Sequence, residues 1–132
     1  MLVGSTIHLY SYFSQPFFNC PSKRYKLDKF LGGWFIGDFE PSLHKSKDFE
    51  VCVKNYKKGE YDLLHTHKIA VEITVMIQGK AKMCGEYIEQ GDIIYLSPGD
   101  ESSFEAIEDC SLAAVKFPSI PNDKYILDQP DD

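Results

Sequence analysis

Three residues of this sequence, His65, His67 and Glu72, have the types and the spacing that metal chemistry requires. Residues i and i+2 of a β-strand share a face and lie about 6.6 Å apart along it, so both imidazoles can point toward one position. Imidazole nitrogens and carboxylate oxygens are common ligands of divalent transition metals. The spacing therefore predicts a metal site within residues 59–79.

Alternating hydrophobic residues predict the strands that would position these side chains. Period-two alternation begins near Asp48, a short strand carries both histidines, and a longer strand is predicted over residues 70–77. One face of this longer strand carries Glu72, Thr74 and Met76, and the other face is aliphatic. We expect the first face to line a cavity and the aliphatic face to pack against another sheet.

Further short strands follow at intervals of about ten residues and are separated by turn sequences rich in Gly, Pro and Asp. This rhythm is typical of an all-β antiparallel sandwich or barrel. The additional strands are predicted at residues 80–83, 87–88, 93–96, 102–107 and 112–117.

The composition predicts one domain that binds neither nucleic acid nor membrane. The chain has 132 residues, a net charge of -6 and dispersed lysines, so nucleic acid is not an expected partner. Its apolar N-terminus lacks the positive region of a signal peptide and is interrupted by polar residues. Four cysteines without C-x-x-C spacing predict free thiols in a reducing cytosol, and hence a cytoplasmic location.

We expect an extended N-terminal arm over residues 1–30, a barrel over 31–127 and an acidic, flexible tail over 128–132. The arm is rich in aromatic residues, and Pro16 and Pro21 interrupt any long element within it. Its apolar side chains would leave a hydrophobic surface exposed on a monomer. The arm therefore predicts a homodimer, in which it packs on its own barrel or on a neighbouring subunit.

Residues 59–79 also match a known sequence motif, G-x5-H-x-H-x3,4-E-x6-G, at every fixed position. Those positions are occupied by Gly59, His65, His67, Glu72 and Gly79. The chain thus resembles the cupin family, over about residues 48–117. The resemblance implies a jelly-roll barrel, the antiparallel double-stranded β-helix, with a metal held by the two histidines and the glutamate.

The family's second motif, G-x5-P-x-G-x2-H-x3-N, is only partly matched. Gly91 and Gly99 occupy its glycines, whereas Ser97 replaces the first proline and Ala106 replaces the asparagine. Ser102 stands where the resemblance would place the last metal-ligating histidine. The resemblance therefore implies three ligands and a gap at the fourth position.

Three interpretations of this gap are open. In the first, the three donors hold Fe, Mn, Ni or Zn, and water or substrate fills the remaining positions. In the second, a further side chain completes the site directly or through water, and the candidates are Glu101, Ser102, His8 and His44. In the third, no metal binds, and the histidines are satisfied by Glu72 or by water. Burying two imidazoles and a carboxylate without a partner is costly, which favours a cation.

Alternation adds five candidates for the cavity lining, namely Thr74, Met76, Tyr95, Ser102 and Phe104. Among the remaining residues, Trp34 lies between glycines and is interpreted as filling an apolar gap rather than stacking on a ligand. Lys116 lies in an apolar strand. It is interpreted as an edge residue that reaches solvent, with a buried cation facing Glu72 as the alternative. A cysteine on an adjoining strand is a further possible metal ligand.

The predicted function is that of a metal-dependent enzyme. An open coordination position suits Lewis-acid chemistry or O2 activation, so a dioxygenase, isomerase or lyase acting on a small organic acid or sugar-like substrate is expected. The alternative is a non-catalytic barrel that binds or senses a small molecule with weak or no metal. A metal-free epimerase that uses a histidine as base and a tyrosine as acid is a third possibility.

Overall fold

The computed structural model describes residues 23–127, which form two facing β-sheets. The strands of this part of the chain are β1 Trp34–Gly37, β2 His44–Lys45, β3 Glu50–Tyr56, β4 Tyr61–Thr66, β5 Val71–Gln78, β6 Lys80–Met83, β7 Glu86–Glu89, β8 Ile93–Leu96, β9 Glu101–Ala106, β10 Cys110–Phe117 and β11 Tyr125–Ile126. Two short 3-10 turns, Leu27–Lys29 and Leu31–Gly33, precede β1.

One sheet has six strands in the order β2-β1-β3-β10-β5-β8, and the other has five in the order β11-β4-β9-β6-β7. Neighbouring strands are antiparallel except for β1 and β2. The order is far from sequential because the chain crosses repeatedly between sheets, as in a jelly roll. The predicted all-β jelly-roll fold is confirmed.

The core lies between the two sheets and is formed by side chains from their inner faces. On β5, Thr74 and Met76 are buried, while Ile73 and Val75 of the opposite face are only partly buried and Ile77 is exposed. The expectation that the aliphatic face packs against the second sheet was therefore wrong. The sheets close around the face that carries Glu72, which turns the aliphatic face outward.

Gly79 turns the chain directly from β5 into β6. Its φ of 87° lies in the left-handed region, and an added Cβ would lie 2.4 Å from the carbonyl oxygen of Asp109. No other residue fits this position without a shift of the backbone. The turn fixes where β5 ends, and so helps to set which of its side chains face the cavity.

Residues 1–22 of the expected N-terminal arm lie outside the described residues. The expected tail over 128–132 lies outside them as well. Residues 23–33 lead into the barrel through the two 3-10 turns, the second of which contacts β3. Among the described residues, no helix has the length and apolar character needed to cross a membrane.

Candidate metal site

The two histidines and the glutamate converge at one end of the barrel. His65 lies near the end of β4, His67 just beyond it, and Glu72 near the start of β5. One ligand atom from each residue lies within 4.8 Å of the others. Nε2 of His67 lies 3.3 Å from Oε2 of Glu72, and both imidazoles are buried.

Backbone carbonyls determine which ring nitrogen of each histidine carries its proton. Nδ1 of His65 lies 2.7 Å from the carbonyl oxygen of Leu63, and Nδ1 of His67 lies 2.6 Å from that of Asp123. A carbonyl oxygen only accepts hydrogen bonds, so both Nδ1 atoms must donate. Both Nε2 atoms are therefore left to the cavity, which is the tautomer of a histidine that binds metal through Nε2.

Burial and neighbouring charges favour a neutral His65 beside an ionised Glu72. Burial lowers the pKa of His65 below its ordinary value, and the nearby Lys124 ammonium acts in the same direction. Burial alone would raise the pKa of Glu72, but the hydrogen bond and charge of His67 and the charge of Lys116 outweigh it, so this pKa is lowered. A lone pair on nitrogen and an ionised carboxylate are the forms that bind a metal.

Asp123 holds the loop that joins the two halves of the donor set. Its buried carboxylate accepts hydrogen bonds from three successive amides, those of Lys68, Ile69 and Ala70, at 2.9–3.3 Å. This loop leads from His67 to β5, and the carbonyl of the same aspartate orients the His67 ring. The sequence offered no signal for this role, because Asp123 is far from the loop along the chain.

The donors open into a cavity of about 80 Å³ between the two sheets. Thr74, Ser102 and Phe104, three of the five residues expected to line a cavity, lie in its wall. Other residues of the wall are Trp34, Cys52, Lys54, Tyr56, Asp62, Met83, Leu112, Ala114, Lys116 and Lys124.

Two residues expected in the cavity lie elsewhere. Met76 shares the inward face of β5 but is 1% exposed and packs in the hydrophobic core, too far along the strand to reach the cavity. Tyr95 is 60% exposed, because it pairs with Ile73 and shares the outward face of the six-stranded sheet. The turn before β8 determines which of its residues face outward, and the sequence pattern did not reveal this.

Ser102 occupies the fourth side of the site. It lies opposite His65 in the β4–β9 pair and is buried, with its hydroxyl 3.7 Å from the thiol of Cys84. Of the other candidates for a fourth ligand, Glu101 is exposed, His44 is exposed on β2 at the edge of the six-stranded sheet, and His8 lies outside the described residues.

The interpretation of Lys116 as an edge residue was wrong. It lies on β10, inside the six-stranded sheet, and its ammonium is 2.7 Å from Oε1 of the equally buried Glu50. Across the strand pair it is the neighbour of Glu72, so it faces the site as the alternative interpretation held. Trp34 packs against the core, as expected, and its ring also forms part of the cavity wall.

Two further groups of the wall, the thiol of Cys52 and the phenol of Tyr56, keep their protons. Burial raises the pKa of Cys52 to about 12, so its thiol is a poor metal ligand at neutral pH. Burial also raises the pKa of Tyr56, as does Asp62, which accepts a 2.8 Å hydrogen bond from the phenol. A protonated phenol therefore lies in the same cavity as the candidate metal ligands.

No family profile matches this sequence, and neither does any protein of curated function. Solved structures do match. An uncharacterised conserved protein with a double-stranded β-helix domain from Klebsiella pneumoniae has a TM-score of 0.60 at 17% identity, over 82% of this chain and 99% of that one. Oxalate decarboxylase from Bacillus subtilis has a TM-score of 0.56 at 24% identity, over 62% of this chain and 24% of that one. KdgF from Halomonas sp. has a TM-score of 0.53 at 18% identity, over 58% and 74%.

Identities this low establish the fold alone. The aligned region spans only 24% of the length of oxalate decarboxylase, so the activity of that protein does not transfer with the fold. The three structures share this β-sheet fold over the aligned residues. The chain has the double-stranded β-helix fold of the cupins.

Proposed function

We propose that this cupin-fold protein is a metal-dependent enzyme whose His65, His67 and Glu72 hold one divalent ion. The observation that carries the proposal is the 3.3 Å separation of Nε2 of His67 and Oε2 of Glu72. Because Nδ1 of His67 donates to the Asp123 carbonyl, its Nε2 atom faces the carboxylate oxygen either with a proton or with a lone pair. Two acceptors in buried contact need a cation between or beside them, either a proton or a metal ion.

Three features favour the metal ion over the proton. His65 presents a second Nε2 lone pair to the same point, and a single proton cannot satisfy both rings. Ligand atoms that are each about 2.1 Å from one ion, at angles of 90–110°, lie about 3.0–3.4 Å apart, which fits the contact of His67 with Glu72. Structures of the similar oxalate decarboxylase concern Mn(II) centres, so this fold is known to accommodate such an ion.

Two imidazoles and one carboxylate leave coordination positions open, which suits Fe(II), Mn(II), Ni(II) or Zn(II). When bound, such an ion supplies Lewis-acid or O2 chemistry to a small ligand. The phenol of Tyr56, held by Asp62, is a proton donor within the cavity. The proposed reaction is a dioxygenation, an isomerisation or a lyase step on a small organic acid or sugar-like substrate.

Metal analysis of the purified protein tests the proposal directly. Protein prepared without chelators should contain close to one divalent ion per chain, and the metal-free protein should take up one equivalent of Mn(II), Fe(II), Ni(II) or Zn(II). The loaded form should convert a member of a panel of small acids and sugars into product. Failure to bind any of the four ions would contradict the proposal.

A non-catalytic binding or sensing role is the second candidate, and Ser102 is the observation that favours it. A serine at the fourth position provides a weaker donor than an imidazole, so the ion would be held less tightly. A protein that binds metal and small ligands stoichiometrically, yet converts none of them, would be assigned this role.

We also propose that the protein is a homodimer in a reducing cytosol, where Cys52, Cys84 and Cys110 would keep their free thiols. Strand β8 pairs on one side only among the described residues, and its Ile93 and Tyr95 are 64% and 60% exposed. An apolar edge of this kind favours association with a second copy. In sedimentation experiments Tyr95→Lys should weaken the dimer, whereas Tyr87→Lys on β7 should not.

A further inference from the structure

We propose that the ligand of this cavity is a small organic anion of two to four carbons, and that Lys54 and Lys124 bind its carboxylate. The inference rests on the proposed function, since it concerns the same cavity. It selects an organic acid over a neutral sugar, and it assigns the recognition to residues outside the metal donor set.

The charges of the cavity wall are unusual for this chain. The protein has a net charge of -6, yet three lysines, Lys54, Lys116 and Lys124, contribute to one cavity. Lys116 is neutralised by its 2.7 Å contact with Glu50. Within residues 23–127, neither of the other two lysines forms an ion pair.

The carboxylates of the wall are already engaged. Glu72 belongs to the donor set and contacts His67. Asp62 accepts the hydrogen bond of Tyr56 at 2.8 Å. The wall thus carries two carboxylates beside the two lysines that are unpaired within residues 23–127. A divalent ion bound to Glu72 would leave an excess of positive charge in the cavity, which favours an anionic ligand.

Lys54 is positioned by a side-chain contact, and Lys124 by the backbone on either side of it, although its side chain is exposed. The ammonium of Lys54 lies 5.7 Å from the centre of the Trp34 ring, whose position in the core is fixed by packing. Lys124 is anchored through its two neighbours: Asp123 holds the loop after His67, and Tyr125 pairs with β4. The two side chains therefore approach the cavity from the six-stranded sheet and from the C-terminal segment.

The size of the cavity limits the ligand. A cavity of about 80 Å³ has room for about five to eight water molecules. An ion would occupy part of this space, so a sugar ring with its hydroxyl groups is too large. A carboxylate attached to a short carbon chain fits, with one end near the lysines and the other near the metal donors.

Binding of pyruvate and its neutral amide, pyruvamide, tests the proposal by calorimetry on the full-length, Mn(II)-loaded protein. Pyruvate should bind at least tenfold more tightly than pyruvamide. Lys54→Gln and Lys124→Gln should each weaken pyruvate binding about tenfold, as expected for the loss of a charge-assisted hydrogen bond, and should leave pyruvamide binding unchanged. Trp34, the single tryptophan, provides an independent fluorescence readout.

The matched control is Lys82→Gln, because Lys82 is exposed on β6 and contacts Tyr87 away from the cavity. This variant should bind pyruvate as the unmodified protein does. Equal binding of pyruvate and pyruvamide, or unchanged pyruvate binding in Lys54→Gln and Lys124→Gln together, would overturn the inference. Metal content is measured separately. If no metal binds, the proposed function fails, and the same lysine comparison on the metal-free protein still decides whether the anion site exists.

Discussion

His65 on β4 and Ser102 on β9 lie opposite each other in neighbouring antiparallel strands, yet only one of them carries an imidazole. The segment from β4 to β5 provides all three candidate donors, and the facing β9 provides none. Strand pairing depends on the backbone, so a fold can keep its register after a side-chain donor is lost. The difference teaches that the candidate metal site has donors on one side only, with the rest of its wall available for a ligand.

Removing a donor from the histidine side should have the largest effect on metal binding. We expect His67→Ala to lower metal affinity more than about 100-fold. Changing a residue that only supports a metal ligand usually lowers the affinity about 10–100-fold, and the loss of a ligand itself should exceed this. Competition titration with a chromogenic chelator measures this affinity. His44→Ala, on the exposed edge strand β2, is the control and should bind metal normally. Equal metal affinities of the two variants would contradict the assignment.

Adding a donor on β9, opposite His65, tests the other side of the site. We expect Ser102→His to raise metal affinity about tenfold or more, because a third imidazole, as the fourth ligand, fills an open position. If that position is needed for turnover, the catalytic rate should fall as the metal affinity rises. Ser103→His, at the adjacent position whose side chain points the other way, should change neither quantity. A weaker metal site in Ser102→His would show that this wall is not at the metal.

A smaller effect is expected from changing Asp123, which orients His67 and the loop after it but is not itself a candidate ligand. Asp123→Asn replaces one acceptor oxygen with a donor facing backbone amides, so at least one buried N–H is left unpaired, at a cost of about 1–3 kcal/mol in the free energy of unfolding. Metal affinity should fall about 10–100-fold. Asp109→Asn is the control, since that carboxylate accepts one exposed amide. Chemical denaturation and metal titration measure the two effects.

The smallest effect is the pH dependence of the metal-free protein. Burial lowers the pKa of His65, so the unfolded chain binds more protons than the folded one below the ordinary histidine pKa of about 6.5. Stability should therefore fall as the pH drops from 7 toward 5. The lowered pKa values of Glu72 and Asp123 extend this loss below their ordinary values. Melting temperatures between pH 8 and 4 test the sign, and a rise in stability on acidification would contradict it.

The features that could be predicted from the sequence are those encoded by short spacings. Local geometry determines the two-residue spacing of His65 and His67 and the turn at Gly79. The strand pattern and the family resemblance therefore predicted the same fold. The placement of Glu72 on the inward face of β5 follows from alternation along one strand. That these residues bind a metal stays a prediction.

The features that the sequence did not reveal depend on contacts between distant residues. Lys54, Lys124 and Asp123 come from different parts of the chain and meet the histidines only through the strand order. Lys116 was misjudged because sequence does not tell a central strand from an edge strand. Tyr95 was misplaced because one turn residue more or less inverts the two faces of a strand.

The hydrogen bond from Nδ1 of His67 to the carbonyl of Asp123 would couple binding of the proposed ion to the pairing of β11, the last described strand, with β4. Coupling of this kind is reciprocal. If metal binding stabilises the pairing of β11 with β4, that pairing must stabilise metal binding by the same free energy. Metal loading should slow backbone hydrogen exchange at Tyr125 and Ile126. Conversely, a protease that cuts near Pro121 would release the ion although all three metal ligands remain intact. Retention of the metal therefore measures how stably this C-terminal segment is bound to β4.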